Sequence, residues 1–190
     1  IAWHEEVAKH TNVAFIAYSH YYSGSKYDVP ISVMDRLIDV PNTVAVKWGS
    51  PHLENFHAGV LKFNERVAVI DNSLMPVLGH VLGCTGWISH VVNFYPQHSW
   101  LVWDLMEAGR HKQAQTVYDE FMVPYFGLVD KVMAETAGEG VFVRPGLEAA
   151  GLKPGFSRLP SRDSAATPEV KEGFRNLLED ARARAEKDLS

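Results

Sequence analysis

The sequence predicts an α/β fold with a parallel sheet in the first half of the chain and helices in the second half. Short apolar runs alternate with segments of helical spacing as far as Asn93. Such alternation is typical of parallel strands that are joined by crossover helices. The apolar runs contain few polar residues, which is typical of strands covered on both faces. Beyond Asn93 the apolar residues recur at helical spacing.

The predicted elements follow one another closely. A helix ends near His10, a tyrosine-rich loop follows the first strand, and Pro51 and Ser73 stand where two later helices begin. Proline and serine are favoured at those helix positions. The strands are predicted at residues 13–18, 42–48, 66–71 and 85–92, and the helices at 31–40, 51–64, 73–84, 94–109 and 111–137, near Leu147, and from Pro168 onward.

Composition and charge exclude several classes of protein. The chain has 190 residues, 46% of them hydrophobic, and a net charge of −5. It has no basic stripe of the kind that nucleic acid requires, so no nucleic-acid partner is predicted. No apolar run approaches the roughly 18 residues of a membrane span, so no membrane partner is predicted. The single cysteine, Cys84, excludes an internal disulfide and fits a reducing, cytoplasmic location.

Lys47 is the first candidate for chemistry. Side chains alternate along a strand, so Ala45 and Lys47 share one face, while Val46 and Trp48 share the other. Active sites gather at the carboxyl ends of parallel strands. A lysine that loses hydration there favours its neutral amine, which can attack a carbonyl and form a Schiff base. The alternative is a lysine that reaches solvent from the strand end, which is the commoner case.

Three other predicted strands deliver polar residues to the same rim. Tyr18 ends the first strand, Asp71 ends the third, and Ser89 and His90 lie near the end of the fourth. A phenol beside a Schiff-base lysine can pass protons to and from the substrate. The alternative for Tyr18 is an aromatic residue that closes the core beneath a loop.

Three motifs carry a resemblance to a known family. Tyr18 precedes "VPNTVAVK", which ends at Lys47; "GCTGWISHVVNFYP" covers residues 83–96, and "RLP" covers 158–160. From about residue 13 to 160 the chain resembles the dihydrodipicolinate synthase / N-acetylneuraminate lyase family of pyruvate-dependent class I aldolases. The lysine motif and the "GCTGWIS" motif, in this order and at this spacing, are the specific part of the resemblance.

The resemblance implies a (β/α)8 TIM barrel of which this chain supplies strands 5–8 and the C-terminal helices. Residues 1–108 would form the second half of the barrel, and residues 109–190 a helical extension packed on it. The first half of the barrel would come from the same longer chain or from a separate chain. Without it, the outer strands would expose unpaired edges. Family members are often dimers or tetramers, so a homo-oligomer is also implied.

The same resemblance implies roles for individual residues. Lys47 would form the Schiff base with pyruvate or another 2-oxo acid, and Tyr18 would relay protons. The backbone near Ile88 would contact the keto-acid end, and Asp71 and His90 would face the variable part of the substrate. The alternatives are a strand-end cap for Asp71 and a satisfied, half-buried histidine for His90. No cofactor is implied, because the imine itself supplies the chemistry.

The chain departs from the family pattern around the expected pocket. The loop "SHYYSGSKYDVP" replaces a shorter Tyr-Asn-x-Pro turn, Trp48 follows the lysine, and Asp71 stands where glycine is usual. These departures predict a substrate other than aspartate semialdehyde, and the loop is similar to that of hydratase-aldolases acting on aromatic 2-oxo acids. His20, Trp48 and Tyr21 or Tyr22 are therefore candidate substrate contacts; the alternative for the aromatic residues is packing.

The predicted function is a Schiff-base lyase without a metal. His52 and His57 lie five residues apart on a predicted helix, which does not match the four-residue spacing of zinc ligands. Two alternatives use the same imine: a hydratase-aldolase on an aromatic 2-oxo acid and a dehydratase on a sugar-derived one. A third alternative is a non-catalytic binding or scaffold barrel.

Overall fold

The computed structural model describes residues 1–21, 28–136 and 138–188. Contacts divide the chain into two compact units, Ile1–Ile88 and Ser89–Ser190. The division falls earlier than the predicted boundary at residue 108, because the helix Pro96–Glu107 packs against the helix that follows it. In the described part of the chain, no helix has both the length and the apolar character that a membrane span needs.

The first unit alternates strands and helices, as predicted. Its strands form one parallel sheet within the described residues, in the order β1-β2-β3-β4. The elements are α1 (Ala2–Lys9), β1 (Phe15–Tyr18), α2 (Ile31–Ile38), β2 (Thr43–Trp48), α3 (Leu53–Phe63), β3 (Ala68–Asp71), α4 (Pro76–Leu82) and β4 (Gly86–Trp87).

The last strand is much shorter than the predicted strand at residues 85–92. β4 ends at Trp87, and a 3₁₀ turn covers His90–Asn93. The Ser89 hydroxyl accepts a hydrogen bond from the Val91 backbone N–H at 3.2 Å. This bond supports the start of the turn, where serine competes with a strand ladder for backbone hydrogen bonds.

One face of the sheet is covered by helices. Val46 and Trp48 of β2 and Val69 of β3 pack on α2 and α3. The buried cluster consists of Met34, Leu37, Ile38, Val46, Trp48, Phe56, Val60, Phe63, Val69 and Cys84. Burial of this much apolar surface is the dominant stabilising term for such a layer, at about 1.5–3 kcal/mol for each large side chain.

The opposite face is exposed along the edge strand. Ile16 of β1 is 56% exposed and Tyr18 is 39% exposed. Ile16 pairs with Ala45, and Tyr18 pairs with Lys47, so all four lie on the face away from the helices. The sequence predicts strands that are covered on both faces, but in this chain β1 is covered only on the face that packs against the helices.

The second unit is helical, as predicted. α6 packs along α5 and α8, and α7 packs on α8. Its aromatic core joins Phe94, Tyr125 and Phe174, whose rings lie 5.9–6.4 Å apart. The elements are α5 (Pro96–Glu107), α6 (His111–Met133), α7 (Glu139–Ala149), a 3₁₀ turn (Asp163–Ala165) and α8 (Pro168–Asp188).

Candidate active site

Lys47 lies near the carboxyl end of β2, on the face away from the helices. It is half-buried, and its ladder partners are Tyr18 on one side and Ile70 on the other. Partners in a parallel ladder point to the same face, so Tyr18 and Lys47 meet side by side. The Lys47 Nζ atom lies 3.9 Å from the centroid of the Tyr18 ring. The structure therefore brings together the predicted Schiff-base and proton-relay residues.

The Tyr18 ring has a second contact on its own chain segment. The imidazole of His20 meets it edge-to-face, with ring centroids 5.1 Å apart and an interplanar angle of 83°. A face-on cation and an edge-on ring are both favourable contacts for an aromatic side chain. His20, a predicted substrate contact, thus lies beside Tyr18 at the same rim.

Tyr21 reaches the rim beyond Lys47. An added Cβ at Gly49 would lie 2.6 Å from Tyr21 Cε1 and 2.7 Å from the Asn72 carbonyl oxygen. The ring therefore occupies the space that a side chain at position 49 would need. Tyr22, the other aromatic candidate, lies outside the described residues. The sequence does not reveal this contact, because a glycine after a strand carries no local sign of an aromatic ring that is far away in the chain.

Ile88 lies at the carboxyl end of β4, at the same edge of the sheet. Its backbone N–H donates to the Asp71 carbonyl oxygen at 3.2 Å. The side chain is exposed. This placement agrees with the expected position of Ile88 at the rim, and its contact with a keto acid stays a prediction.

Trp48 does not reach the rim. Its side chain is 1% exposed and lies in the layer between β2 and α3. The indole Nε1–H donates to the Phe56 carbonyl oxygen at 3.0 Å, and the ring meets Phe63 edge-to-face. Strand alternation turns Trp48 to the face opposite Lys47. The structure thus corrects the prediction of a substrate contact in favour of the alternative, packing.

Asp71 also points to the helix side of the sheet. It pairs with Trp48 in the ladder, is 2% exposed and lies against Gly79 of α4. One carboxylate oxygen accepts the Ser73 backbone N–H at 2.5 Å, which is the strand-end cap of the alternative reading. The expectation that Asp71 faces the substrate is therefore corrected, because strand alternation places it opposite Lys47.

Burial changes the ionisation of Asp71 and of its neighbour Cys84. Desolvation raises the pKa of the Asp71 carboxyl, partly offset by the hydrogen bonds from Ser73. The other carboxylate oxygen has no hydrogen-bond partner among the described residues. Burial, together with the nearby Asp71 charge, raises the pKa of the Cys84 thiol to about 12.

His90 belongs to the second unit. Its Nε2 atom lies 3.7 Å from Glu139 Oε2, and its ring meets Phe142 edge-to-face at 5.1 Å between centroids. These contacts agree with the alternative of a satisfied, half-buried histidine. A substrate contact for His90 stays a prediction. Among the residues that the structure describes, no group of three His, Cys, Asp or Glu side chains is arranged to hold a metal.

The architecture defines a class of protein. Parallel strands in sequential order, with helices on one face and a lysine at the carboxyl edge, are the elements of a (β/α)8 barrel. Within the described chain the sheet is open, since its outer strands β1 and β4 each have one neighbour, and its strand order is consistent with one part of such a barrel.

The comparisons with known proteins give the family. The family model described as "Dihydrodipicolinate synthetase family" matches residues 1–180. This chain therefore belongs to the dihydrodipicolinate synthetase family. No curated protein sequence matches the chain.

Solved structures confirm the fold class. A putative dihydrodipicolinate synthetase from Pseudomonas aeruginosa is 22% identical, with a TM-score of 0.76 over 94% of this chain and 59% of that one. Dihydrodipicolinate synthase from Acinetobacter baumannii, solved with pyruvate, is 22% identical, with a TM-score of 0.74 over 93% of this chain and 58% of that one. CdNal from Clostridium difficile, in complex with mannosamine, is 16% identical, with a TM-score of 0.74 over 95% and 59%. The chain thus spans just under three fifths of each of these relatives.

Proposed function

We propose that this chain carries the imine-forming part of a class I aldolase. Lys47 condenses with pyruvate or another 2-oxo acid, and the carbon–carbon bond adjacent to the imine is then made or broken. The observation that carries the proposal is the 3.9 Å contact between Lys47 Nζ and the Tyr18 ring at the carboxyl edge of a parallel sheet. Membership of the family and the pyruvate named for the Acinetobacter baumannii relative support the choice of substrate.

The chemistry uses the amine as nucleophile and the imine as electron sink. The Lys47 amine adds to the C2 carbonyl of the 2-oxo acid, and loss of water leaves a protonated imine. When the C3–C4 bond breaks, its electron pair moves into the imine and gives an enamine and an aldehyde. Protonation at C3 and hydrolysis by water then release the shortened 2-oxo acid and the free amine. Tyr18 moves the protons at C3 and at the departing oxygen.

The amine must be neutral to attack. In general, a lysine that loses its water favours the neutral amine. Coverage of the exposed face of the sheet would supply that dehydration, so we assign it to the remaining strands of the barrel, from the same longer chain or from a partner chain.

The proposal also includes the cofactor requirement, the location and the assembly of the protein. The imine supplies the electron sink, so no cofactor enters the steps above. A cytoplasmic location rests on the single cysteine, and a homo-oligomer rests on the resemblance. A dehydratase or a hydratase-aldolase would use the same imine and differ in the fate of the substrate beyond C3.

Borohydride trapping tests the imine. The full-length protein is incubated with pyruvate and borohydride, and the modified peptide is identified by mass spectrometry. We expect one reduced pyruvate adduct on Lys47, lost in Lys47→Arg, which keeps the positive charge over the Tyr18 ring but cannot form the imine. Lys62→Arg on α3 is the matched control and should retain the adduct. Absence of an adduct with any 2-oxo acid would favour the scaffold alternative.

A further inference from the structure

The residue after Tyr18 joins the rim to two other parts of the first unit. Ser19 is fully buried. Its backbone N–H donates to the Lys47 carbonyl oxygen at 3.1 Å. Its hydroxyl oxygen accepts the backbone N–H of Val29 at 3.2 Å. One residue therefore connects Tyr18, the backbone of Lys47 and the segment that leads into α2.

The Val29 end of this connection is anchored in the core. Val29 packs against the buried cluster beneath the helices. It precedes Pro30, whose carbonyl oxygen accepts the first backbone hydrogen bonds of α2. The Ser19 hydroxyl meets the backbone of Val29, whose side chain packs on this cluster, whereas the Tyr18 ring lies beside Lys47. The Ser19 hydroxyl thus links the end of β1 to the segment before α2, which packs on the core of the first unit.

A second contact holds the same segment from the other side of His20. The Tyr21 ring lies against Gly49, two residues beyond Lys47. The backbone at that point is itself tied to β3, because the Asn72 N–H donates to the Trp48 carbonyl oxygen at 2.8 Å. The chain after Tyr18 is therefore attached to the end of β2 through Ser19 and through Tyr21.

We propose that Ser19 is a positioning residue that holds the Tyr18 phenol in place for proton transfer at Lys47. The inference rests on the proposed function, since it assigns Tyr18 a proton to move. Loss of the Ser19 hydroxyl leaves the part-buried Val29 N–H without its acceptor and releases one attachment of the segment. A small displacement of a reacting group lowers the rate of its step steeply. The amine keeps its own geometry, because Ser19→Ala retains the backbone N–H that donates to the Lys47 carbonyl oxygen.

Two measurements on the full-length protein separate imine formation at Lys47 from proton transfer at C3. Borohydride trapping of pyruvate reports imine formation at Lys47. Exchange of the pyruvate methyl hydrogens for deuterium in D₂O, followed by proton NMR, also requires proton removal from C3 of the imine. For Ser19→Ala we expect trapping within about twofold of the wild type and methyl exchange about tenfold slower. Tyr18→Phe should slow exchange at least as much.

Ser73→Ala is the matched control. Ser73 is also buried, and its hydroxyl accepts a backbone N–H, that of Met75, at 3.2 Å, at the end of β3. We expect both rates to be unchanged in this variant. Gly49→Ala perturbs the second attachment, because the added Cβ meets the Tyr21 ring and the Asn72 carbonyl. It should slow exchange and spare trapping, as Ser19→Ala does.

Several results would overturn the inference. Unchanged exchange in Ser19→Ala would overturn it, as would an equal loss of trapping and exchange, which indicates general destabilisation. If Ser19→Ala does not fold, two other variants replace it. Ser19→Cys keeps most of the side-chain volume but has a weaker hydrogen-bond acceptor, and Gly49→Ala leaves Ser19 intact. Normal methyl exchange in both variants would also overturn the inference. Absence of any pyruvate adduct in the wild type is a different outcome and contradicts the proposed function itself.

Discussion

The contact between Lys47 and Tyr18 follows from two neighbouring strands in register. Both residues stand near the carboxyl end of their strand, and the β1–β2 ladder pairs them directly. Strand alternation then sends Lys47 to one face and Trp48 to the other. The same rule that brings the amine to the tyrosine therefore removes the neighbouring indole from the site.

Asp71 makes the stability of the protein depend on pH. Burial raises the pKa of its carboxyl, so the folded protein holds a proton that the unfolded chain has lost above a pKa of about 4. Its contribution to the free energy of unfolding is largest below that pKa and is lost as pH rises through the folded-state value. We expect Asp71→Asn to flatten this decline, as measured by urea denaturation at a series of pH values.

The control for Asp71 is an exposed aspartate. Asp104→Asn on α5 should leave the pH dependence close to that of the wild type. The amide of Asp71→Asn keeps an oxygen for the Ser73 N–H, so the cap survives the change. An undiminished decline in Asp71→Asn would show that the carboxyl is already ionised at low pH in the folded protein.

At the scale of elements, the packing of α3 on β2 depends on one glycine. An added Cβ at Gly59 would lie 2.4 Å from the Trp48 ring, closer than real contacts allow. Alanine favours a helix over glycine by about 1 kcal/mol, but the buried clash outweighs this. We expect Gly59→Ala to lower the free energy of unfolding by about 1–3 kcal/mol, measured by chemical denaturation.

Gly127 of α6 is the matched control for Gly59. An added Cβ there meets nothing within 4 Å. The helix propensity of alanine then acts alone, and Gly127→Ala should raise the free energy of unfolding by about 0.5–1 kcal/mol. If both variants shift stability in the same direction, the close approach of α3 to Trp48 is refuted.

The pairing of α5 with α6 contains a buried histidine. His98 lies beneath Tyr95, Tyr118 and Phe121, and its Nε2–H donates to the Val117 carbonyl oxygen at 3.1 Å. Its Nδ1 atom is buried and has no hydrogen-bond partner in the described chain. Desolvation holds the pKa of His98 below its usual value, because a second proton would bury an uncompensated charge.

The buried, neutral His98 contributes to acid denaturation, because it makes the folded protein less stable at low pH. Below a pH of about 6.5, His98 is protonated in the unfolded chain but stays neutral in the folded protein. The free energy of unfolding therefore decreases as the pH is lowered, until the pH reaches the lowered folded-state pKa. His98→Gln keeps a neutral donor at every pH and should remove this loss, as measured by thermal unfolding between pH 7 and pH 5. His57→Gln, on the exposed side of α3, should retain it.

The sequence predicts these elements to different degrees. The apolar runs of β1, β2 and β3 and the helices between them appear where the pattern places them, because buried strands and amphipathic helices leave direct signals in composition. β4 is shorter than predicted, since the pattern does not reveal that Ser89 begins a 3₁₀ turn. The Lys47–Tyr18 pair was predicted from order and resemblance, whereas the Ser19 and Gly49 contacts join residues far apart in sequence and leave no local pattern.

For the molecule as a whole, the exposed face of β1 has a testable consequence. In the full-length protein we expect Ile16 to be covered by the remaining strands, so Ile16→Lys should lower the free energy of unfolding by about 2–3 kcal/mol. In the isolated 190-residue segment, where Ile16 is exposed, the same change should reduce self-association, measured by light scattering.

Val81 on α4 provides the control for Ile16. It is exposed on the helix side of the sheet, so Val81→Lys should change neither the stability of the full-length protein nor the association of the segment. If the 190-residue chain alone is monomeric and folds cooperatively, and Ile16→Lys is neutral in both forms, the proposed coverage of this face by further barrel strands is contradicted.

The solitary cysteine offers a natural reporter for the first unit. Cys84 is buried, and with a pKa of about 12 only about one thiol in a hundred thousand is ionised at neutral pH. The rate at which an alkylating reagent labels Cys84 will therefore report the fraction of time that the sulfur is exposed to solvent. Labelling rates with and without pyruvate would then measure how far a ligand at the rim suppresses local opening of the helix layer, with no probe added to the chain.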